Sequence, residues 1–445
     1  MVGLAGLLAD AGETATAAID PAAVRAPHRT PRAKRLVHVF LNGGPSHVDT
    51  LDPKPALSRY AGQPLPLALT TERKTGVALP SPFAFARHEQ SGLEFSELLA
   101  RTARHADRIA VIRSMYAHVP NHEPSLMLMN CGDSVQPRPS VGSWLLYGLG
   151  SENRDLPGFI AMCPGGLPVK GPDNWQAGFL PGSLQGTAVD SRHALVEKLI
   201  EDIRSPHADA AMQRRQLDLL HGLGSSRRIS DPRLEARLAS FELAFRMQTA
   251  AAEAFDLAGE TRETRELYGD TVHGRQLLVA RRLVERGVRT VQVWHGAGQP
   301  WDNHEQIGPN LRRLCGELDG PLAAFLTDLG RRGLLDETLV LVGGEFGRTP
   351  SVELGGDGAA KAGRDHNHYG FSVFLAGGGI RGGTVHGATD DFGFRAAVDP
   401  VSVHDLHATI LHLMGLDHKR LTYRYAGRDF RLTDVHGRVL ETIVA

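Results

Sequence analysis

Cysteine is scarce: the 445 residues hold three, Cys131, Cys163 and Cys315, scattered and without a CxxC pair. Thiols so placed build neither a disulfide scaffold nor a thiolate zinc site. Charge of one sign is also missing, because 49 basic and 50 acidic residues leave a net charge of −1. That balance lacks the electrostatic footprint of a nucleic-acid binder or of a protein held on an anionic membrane surface, so no nucleic-acid partner is expected. No apolar run reaches the ~20 residues that a membrane-spanning helix needs.

Glycine, proline and histidine are plentiful instead, at 50, 26 and 21 residues. So much glycine and proline implies many loops without implying disorder. A chain of this length can bury a large core, as one big α/β domain or as two smaller ones. Residues 36–41 (Leu-Val-His-Val-Phe-Leu) read as a buried strand, as do 109–115, 158–162, 290–294, 338–342 and 371–376. Helices are expected over 95–105, 141–148, 310–332 and 403–414, and the loop 120–125 is expected to open another that runs through 129. Residues 51–90 read as an irregular excursion. Residues 190–285 carry Arg/Glu/Leu/Ala patterning and read as long amphipathic helices, a helical insertion without chemistry of its own. Strands separated by helices predict a doubly wound, mostly parallel sheet with helices on both faces. Such sheets carry their sites beyond the carboxyl ends of the strands.

Three polar clusters fall in that position, each beside glycines. They are Asp302 with His304, the run Gly344-Glu345-Phe346-Gly347-Arg348, and the run Gly363-Arg364-Asp365-His366-Asn367-His368. Carboxylates and imidazoles gathered from separate loops are what a divalent-metal site with open coordination positions needs.

The elements Phe40-Leu41-Asn42-Gly43-Gly44-Pro45-Ser46-His47-Val48-Asp49-Thr50-Leu51-Asp52-Pro53-Lys54-Pro55, Gly344-Glu345-Phe346-Gly347-Arg348-Thr349-Pro350, Arg364-Asp365-His366 and Asp405-Leu406-His407-Ala408-Thr409-Ile410-Leu411 carry a family resemblance. From about residue 35 to 439 the chain resembles the sulfatase-like family catalogued as domain-of-unknown-function family 1501. That family is similar to the alkaline phosphatase superfamily of sulfatases, phosphodiesterases and cofactor-independent phosphoglycerate mutases. The resemblance implies a doubly wound α/β core, one or two divalent metals, and export, often through a twin-arginine signal.

Carried over residue by residue, the resemblance meets several departures. Where the superfamily ends its first strand in a metal-binding Asp, this chain has Asn42, with Asp49 as a substitute on the same loop. The superfamily nucleophile begins a helix in a Cys-x-Pro-Ser-Arg sequence, which here resembles Asn121-His122-Glu123-Pro124-Ser125-Leu126. His122 takes the nucleophile's place and Leu126 the arginine's, so formylglycine chemistry is not expected. Asp302 and His304 resemble a later ligand pair, Glu345-Phe346 replaces an Asp-His, and His366 matches the final histidine.

These residues give an expected site. Asp302, His304 and His366 form one N/O site; Glu345 and Asp49, with His47 or His122, hold a second ion, with Asp365 and His368 close by. Zinc, manganese, magnesium and calcium all remain open. His122 is a nucleophile, acid/base or ligand; Arg348 either clamps an oxyanion or pairs with Glu345; Ser125 and Ser46 are nucleophiles or N-caps. Two function classes follow. One is a metal-dependent hydrolase of anionic (phosphate or sulfate) esters, small or carbohydrate. The other is a non-catalytic sulfatase-like protein that binds an anionic carbohydrate or a protein partner. Phosphoryl transfer of the mutase kind is a third and lesser option. Residues 1–34 read as a signal remnant and linker: the apolar run 3–9 lacks a basic leader, so export is expected unless Met1 is the true start.

Overall fold

The computed structural model describes residues 23–193, 196–200, 207–225, 232–355 and 361–445, which leaves the apolar run 3–9 outside them. Nine strands make one sheet. In chain order they are β1 (Arg35–Phe40), β2 (Ile109–Tyr116), β3 (Phe159–Met162), β4 (Thr187–Val189), β5 (Thr290–Trp294), β6 (Thr338–Gly343), β7 (Phe371–Ala376), β8 (Thr384–His386) and β9 (Val401–Ser402). Across the sheet the order is β8-β2-β7-β6-β1-β5-β3-β4, with β9 also paired to β2. Only β7 is reversed, running antiparallel to both β2 and β6.

The longer helices are α1 (His122–Cys131), α2 (Val141–Leu149), α3 (Ala210–Ser225), α4 (Pro232–Phe255), α5 (Val272–Glu285), α6 (Ile307–Arg331) and α7 (Val403–Leu413). Successive strand residues point to opposite faces, so β1 divides its side chains between two cores. Val37 and Val39 pack under α5 and α6, whereas Leu36 and Phe40 pack with α1, α2 and α7. A central strand covered on both sides has to be apolar throughout, which is why residues 36–41 read as a continuous run. The doubly wound sheet expected from the sequence is the one observed.

The sequence and the structure part over 95–105 and within the excursion 51–90, which holds a short helix (Pro55–Arg59) and the strands Thr75–Ala78 and Phe85–His88. The helix expected over 95–105 is replaced by a strand (Leu93–Ser96) and two short 3₁₀ segments, Glu97–Leu99 and Thr102–Arg108. Asp319 of α6 accepts the backbone N–H groups of Arg101 and Thr102 at 2.9 and 2.8 Å, and this takes them away from a helical ladder. In the stretch 190–285, α5 is part of the sheet's cover, while α3 and α4 pack as a pair beside it.

Strands β6, β1 and β5 are adjacent and parallel, so their carboxyl ends open on one edge. No helix among the described residues is long and apolar enough to cross a membrane.

Candidate metal centre

The loops after β1 and β5 meet backbone to backbone. Gly43 has φ +117°, and a Cβ there would come within 2.5 Å of the Asp302 nitrogen. Any side chain would therefore both strain the turn and separate the loops. A Cβ on Gly363 would overlap the His304 carbonyl in the same way. Arg348 locks the arrangement. Its guanidinium is fully buried and donates from Nε to the Gly44 carbonyl (2.9 Å), from Nη1 to the Arg364 carbonyl (3.2 Å) and from Nη2 to the Gly43 carbonyl. Nη2 also reaches Asp302 Oδ1 at 2.6 Å. The planar fork thus joins the loops that follow β1, β5 and β6, and it is occupied by protein rather than open to a substrate oxyanion.

Asp302 Oδ1 is the centre of the cluster. His304 Nε2 lies 2.9 Å from it, and the Nε2 atoms of His122 and His366 each lie 3.2 Å away. The opposite nitrogen of every ring is held by a separate carboxylate. His122 Nδ1 is 2.7 Å from Glu345 Oε1, His366 Nδ1 is 2.8 Å from Glu72 Oε2, and His304 Nδ1 pairs with Glu353 Oε2. A carboxylate acceptor calls for a proton on Nδ1, so Nε2 is the nitrogen of each ring that faces the centre. Glu345 is itself fixed, because the Gly43 N–H reaches its two oxygens at 3.0 and 3.2 Å.

Electrostatics mark the same spot. Burial alone would raise the Asp302 pKa, but the three imidazoles and Arg348 hold it well below the usual carboxylate range. Burial opposes charge on His122, yet Asp302 and Glu345 outweigh it and hold that ring up to about 9. Burial, aided by Arg348 and His122, pushes His366 down to about 3 despite Asp302. Carboxylates and imidazoles gathered this closely would suit a divalent ion. The residues fit such an ion. Asp365 Oδ1 is buried without a hydrogen-bond partner, and His122 Nε2, 3.2 Å from Asp302 Oδ1, faces it without hydrogen-bond geometry. Donor atoms of His122, Asp302 and His366 lie within 4.8 Å of one another, as do those of Glu72, Asp365 and His366, and those of His304, Glu353 and Asp365.

Asp302, His304, Glu345, His366, Asp365, His122 and Arg348 are therefore brought together. Four other expected residues are not. Asp49 is a correction: its fully buried carboxylate accepts from Arg364 Nε (2.8 Å) and Nη2 (3.1 Å) and from Ser46 Oγ (2.5 Å), so both oxygens are engaged away from the cluster. Ser125 is turned away, its Oγ donating to the Val119 carbonyl at 2.9 Å. His368 belongs to none of the donor groups, and burial beside His118 and Arg395 lowers its pKa to about 4. His47 likewise belongs to none of the donor groups; its Nε2 lies 2.7 Å from the Gly393 carbonyl, while its Nδ1 is buried without a partner.

Two residues were missed. Glu353 lies only eight positions after Glu345, in the short strand Ser351–Glu353, so a carboxylate scan past the strand-end motif could have found it. Glu72 carried no such signal, since it sits in the turn-rich excursion far from any buried strand. It is held in place by Asn121 Nδ2, 2.9 Å from its Oε1. A further donor group, His273, His295 and Glu317, is unsuited to an ion. The two rings are stacked at 3.8 Å, and His295 Nδ1 accepts the Trp301 indole N–H at 3.1 Å, which leaves the proton on Nε2.

A family model described as a protein of unknown function (DUF1501) matches residues 33–444. Among solved structures the chain is similar to a sulfatase from Pseudoalteromonas sp., at 12% identity over 86% of this chain and 68% of that one, with a TM-score of 0.36. It is similar to an alkaline phosphatase from the Antarctic bacterium TAB5, at 12% identity, 87% and 99% coverage and a TM-score of 0.36. A phosphonate monoester hydrolase from Silicibacter pomeroyi gives 12% identity, 77% and 71% coverage and a TM-score of 0.34. No curated protein sequence matches the chain significantly.

Proposed function

The chain belongs to the DUF1501 family, and we propose that its buried cluster is the divalent-metal centre of a hydrolase acting on anionic esters, phosphate or sulfate. One observation carries this reading: three imidazoles, each gripped at Nδ1 by its own carboxylate, direct Nε2 at a single oxygen of Asp302. His122, Asp302 and His366 would hold the ion, with His304 and Asp365 at its margin. A bound divalent cation supplies Lewis-acid stabilisation of the ester's anionic oxygens and a nucleophile at neutral pH.

The chain's own residues do the positioning. Glu345, Glu72 and Glu353 fix the tautomers of the rings, and Arg348 holds Asp302 against the loop after β1. His122 begins α1, so it stands where the helix dipole favours an arriving anion. No thiol competes for the role of nucleophile. Cys131 closes the far end of α1, and burial drives its pKa far upward, so the thiolate that covalent catalysis needs is absent there.

The test is protein purified without chelator, analysed for bound metal, then assayed on an aryl phosphate and an aryl sulfate with added zinc or manganese. Cleavage of one ester, lost together with the metal in a folded Asp302→Ala variant, is the expected result. Metal retained with neither ester cleaved would turn the reading to the non-catalytic one, which the averted Ser125 hydroxyl favours.

A further inference from the structure

We propose that a second cavity, of about 360 Å³, binds a small amphipathic anion: a carboxylate or similar oxyanion carried on an apolar body. This does not rest on the metal reading. The cavity starts at Met162, the last residue of β3, and at Ser191, two residues past β4. It therefore opens on the same carboxyl edge as the metal cluster, on strands two and three places from β1. Open α/β sheets hold ligands on that edge, and the volume falls in the roughly 300–1,000 Å³ range of small-molecule sites.

The lining has two parts. Leu199, Phe255, Leu257 and Val279, with Met162, make an apolar wall between the end of α4 and the start of α5. Against it stand polar atoms with nothing to bind. Ser191 is 6% exposed, and its Oγ has no partner. Arg275 Nε is also buried and unpartnered, although Nη1 of the same guanidinium donates to Asp270 at 2.8 Å. Buried polar atoms left unpaired cost stability, and native interiors rarely keep them without a reason.

Charge selects the ligand. Among the described residues, Arg275 and Arg265 bring two guanidiniums to the lining, while Asp256 brings one carboxylate, already accepting the Ala258 N–H at 2.9 Å. Arg265, exposed at the rim, uses Nη1 on the carbonyls of Leu257 (3.4 Å), Ala258 (3.2 Å) and Glu260 (2.7 Å). His193 faces Asp190 at 3.6 Å, a carboxylate that does not line the cavity. Asp270 meets Arg275 from outside the lining, where it is 95% exposed and screened by water; within the lining guanidiniums outnumber carboxylates, so a cation is disfavoured, and the apolar wall is wasted on a bare inorganic anion. Gln276 closes the side towards β5 by donating to the Met162 carbonyl (2.9 Å) and the Trp294 carbonyl (3.1 Å), which keeps this pocket separate from the cluster around Asp302.

Calorimetric titration of the full-length protein with octanoate, and with 1-octanol as the neutral probe of equal length, tests the proposal. One-to-one saturable octanoate binding is expected, with octanol weaker by roughly tenfold or more, about the worth of one charge-assisted contact. Arg275→Gln should weaken octanoate by a similar factor, and Val279→Trp, which fills the cavity, should abolish it. Circular dichroism confirms that each variant is folded; if Val279→Trp is not, Arg275→Gln and the octanol comparison decide. No saturable octanoate binding, octanol binding as tightly as octanoate, or an unchanged Arg275→Gln would overturn the proposal.

Discussion

Asp49 and Asp302 both follow a central strand's end, yet they meet opposite surroundings. Asp302 faces three imidazoles and one arginine, while Asp49 is spent on Arg364 and Ser46. Both Asp49 and Arg364 are fully buried. Removing one partner of such a pair leaves an unpaired buried charge, at a cost of about 3–5 kcal/mol. Asp49→Ala should therefore lower the urea midpoint strongly while leaving metal stoichiometry per folded molecule unchanged; a stable variant that has lost its metal would reverse the assignment. Glu353→Gln tests the other kind of residue. Glu353 touches His304, and a neutral amide there holds the ring's Nδ1–H less firmly. Losing such an outer partner typically weakens metal binding about 10–100-fold. A competition titration with a chromophoric chelator reads that shift, and a neutral outcome would show that Glu353 only fills space.

Among the elements, the parts legible in sequence were those whose cause is local. Strand β1 is apolar because both its faces are covered, and residues 36–41 show this without any partner in view. Residues 95–105 look helical by composition, but Asp319, more than 200 positions away, takes the N–H groups of Arg101 and Thr102. Pairing at that separation leaves no periodicity to read. Glu72 escaped for a related reason. It reaches His366 only because the strand Thr75–Ala78 pairs with Ser351–Glu353 and brings the excursion back over the site. The glycines were read as loop markers, whereas Gly43 and Gly363 serve to let two loops touch.

The helices on the far core present one strong dependency of their own. Arg281 of α5 is 2% exposed and reaches Glu260 (2.6 Å), Glu285 (2.6 Å) and Asp328 of α6 (3.1 Å). Tyr268 donates its hydroxyl to the same Asp328 at 3.1 Å. Arg281→Ala strips the shared cation from these carboxylates and should cost about 3–5 kcal/mol. Equilibrium urea unfolding reads it, and a loss below about 1 kcal/mol would mean that water or Arg332 takes over the charge.

At the scale of the whole molecule, the cluster joins segments that no single element connects. Glu72 comes from the excursion, His122 from α1, Asp302 and His304 from the loop after β5, Glu345 and Glu353 from beyond β6, and His366 from the approach to β7. Without a bound metal, five carboxylates, Glu72, Asp302, Glu345, Glu353 and Asp365, meet around three imidazoles, Arg348, Arg73 and Lys361. An ion bound here interacts with the folded arrangement alone, because the unfolded chain scatters its ligands. Binding then stabilises the fold by about 2.7 kcal/mol when free metal stands at 100 times its dissociation constant. For a chain of this size that gain should raise the melting temperature by several degrees. Thermal unfolding of protein stripped with EDTA, dialysed and then refilled with zinc or manganese should show the midpoint fall and recover. Asp302→Ala should melt at the same temperature with and without added metal. If the wild-type midpoint ignores both stripping and refilling, the cluster is a self-contained network of hydrogen bonds, and the hydrolase reading loses the ion it depends on.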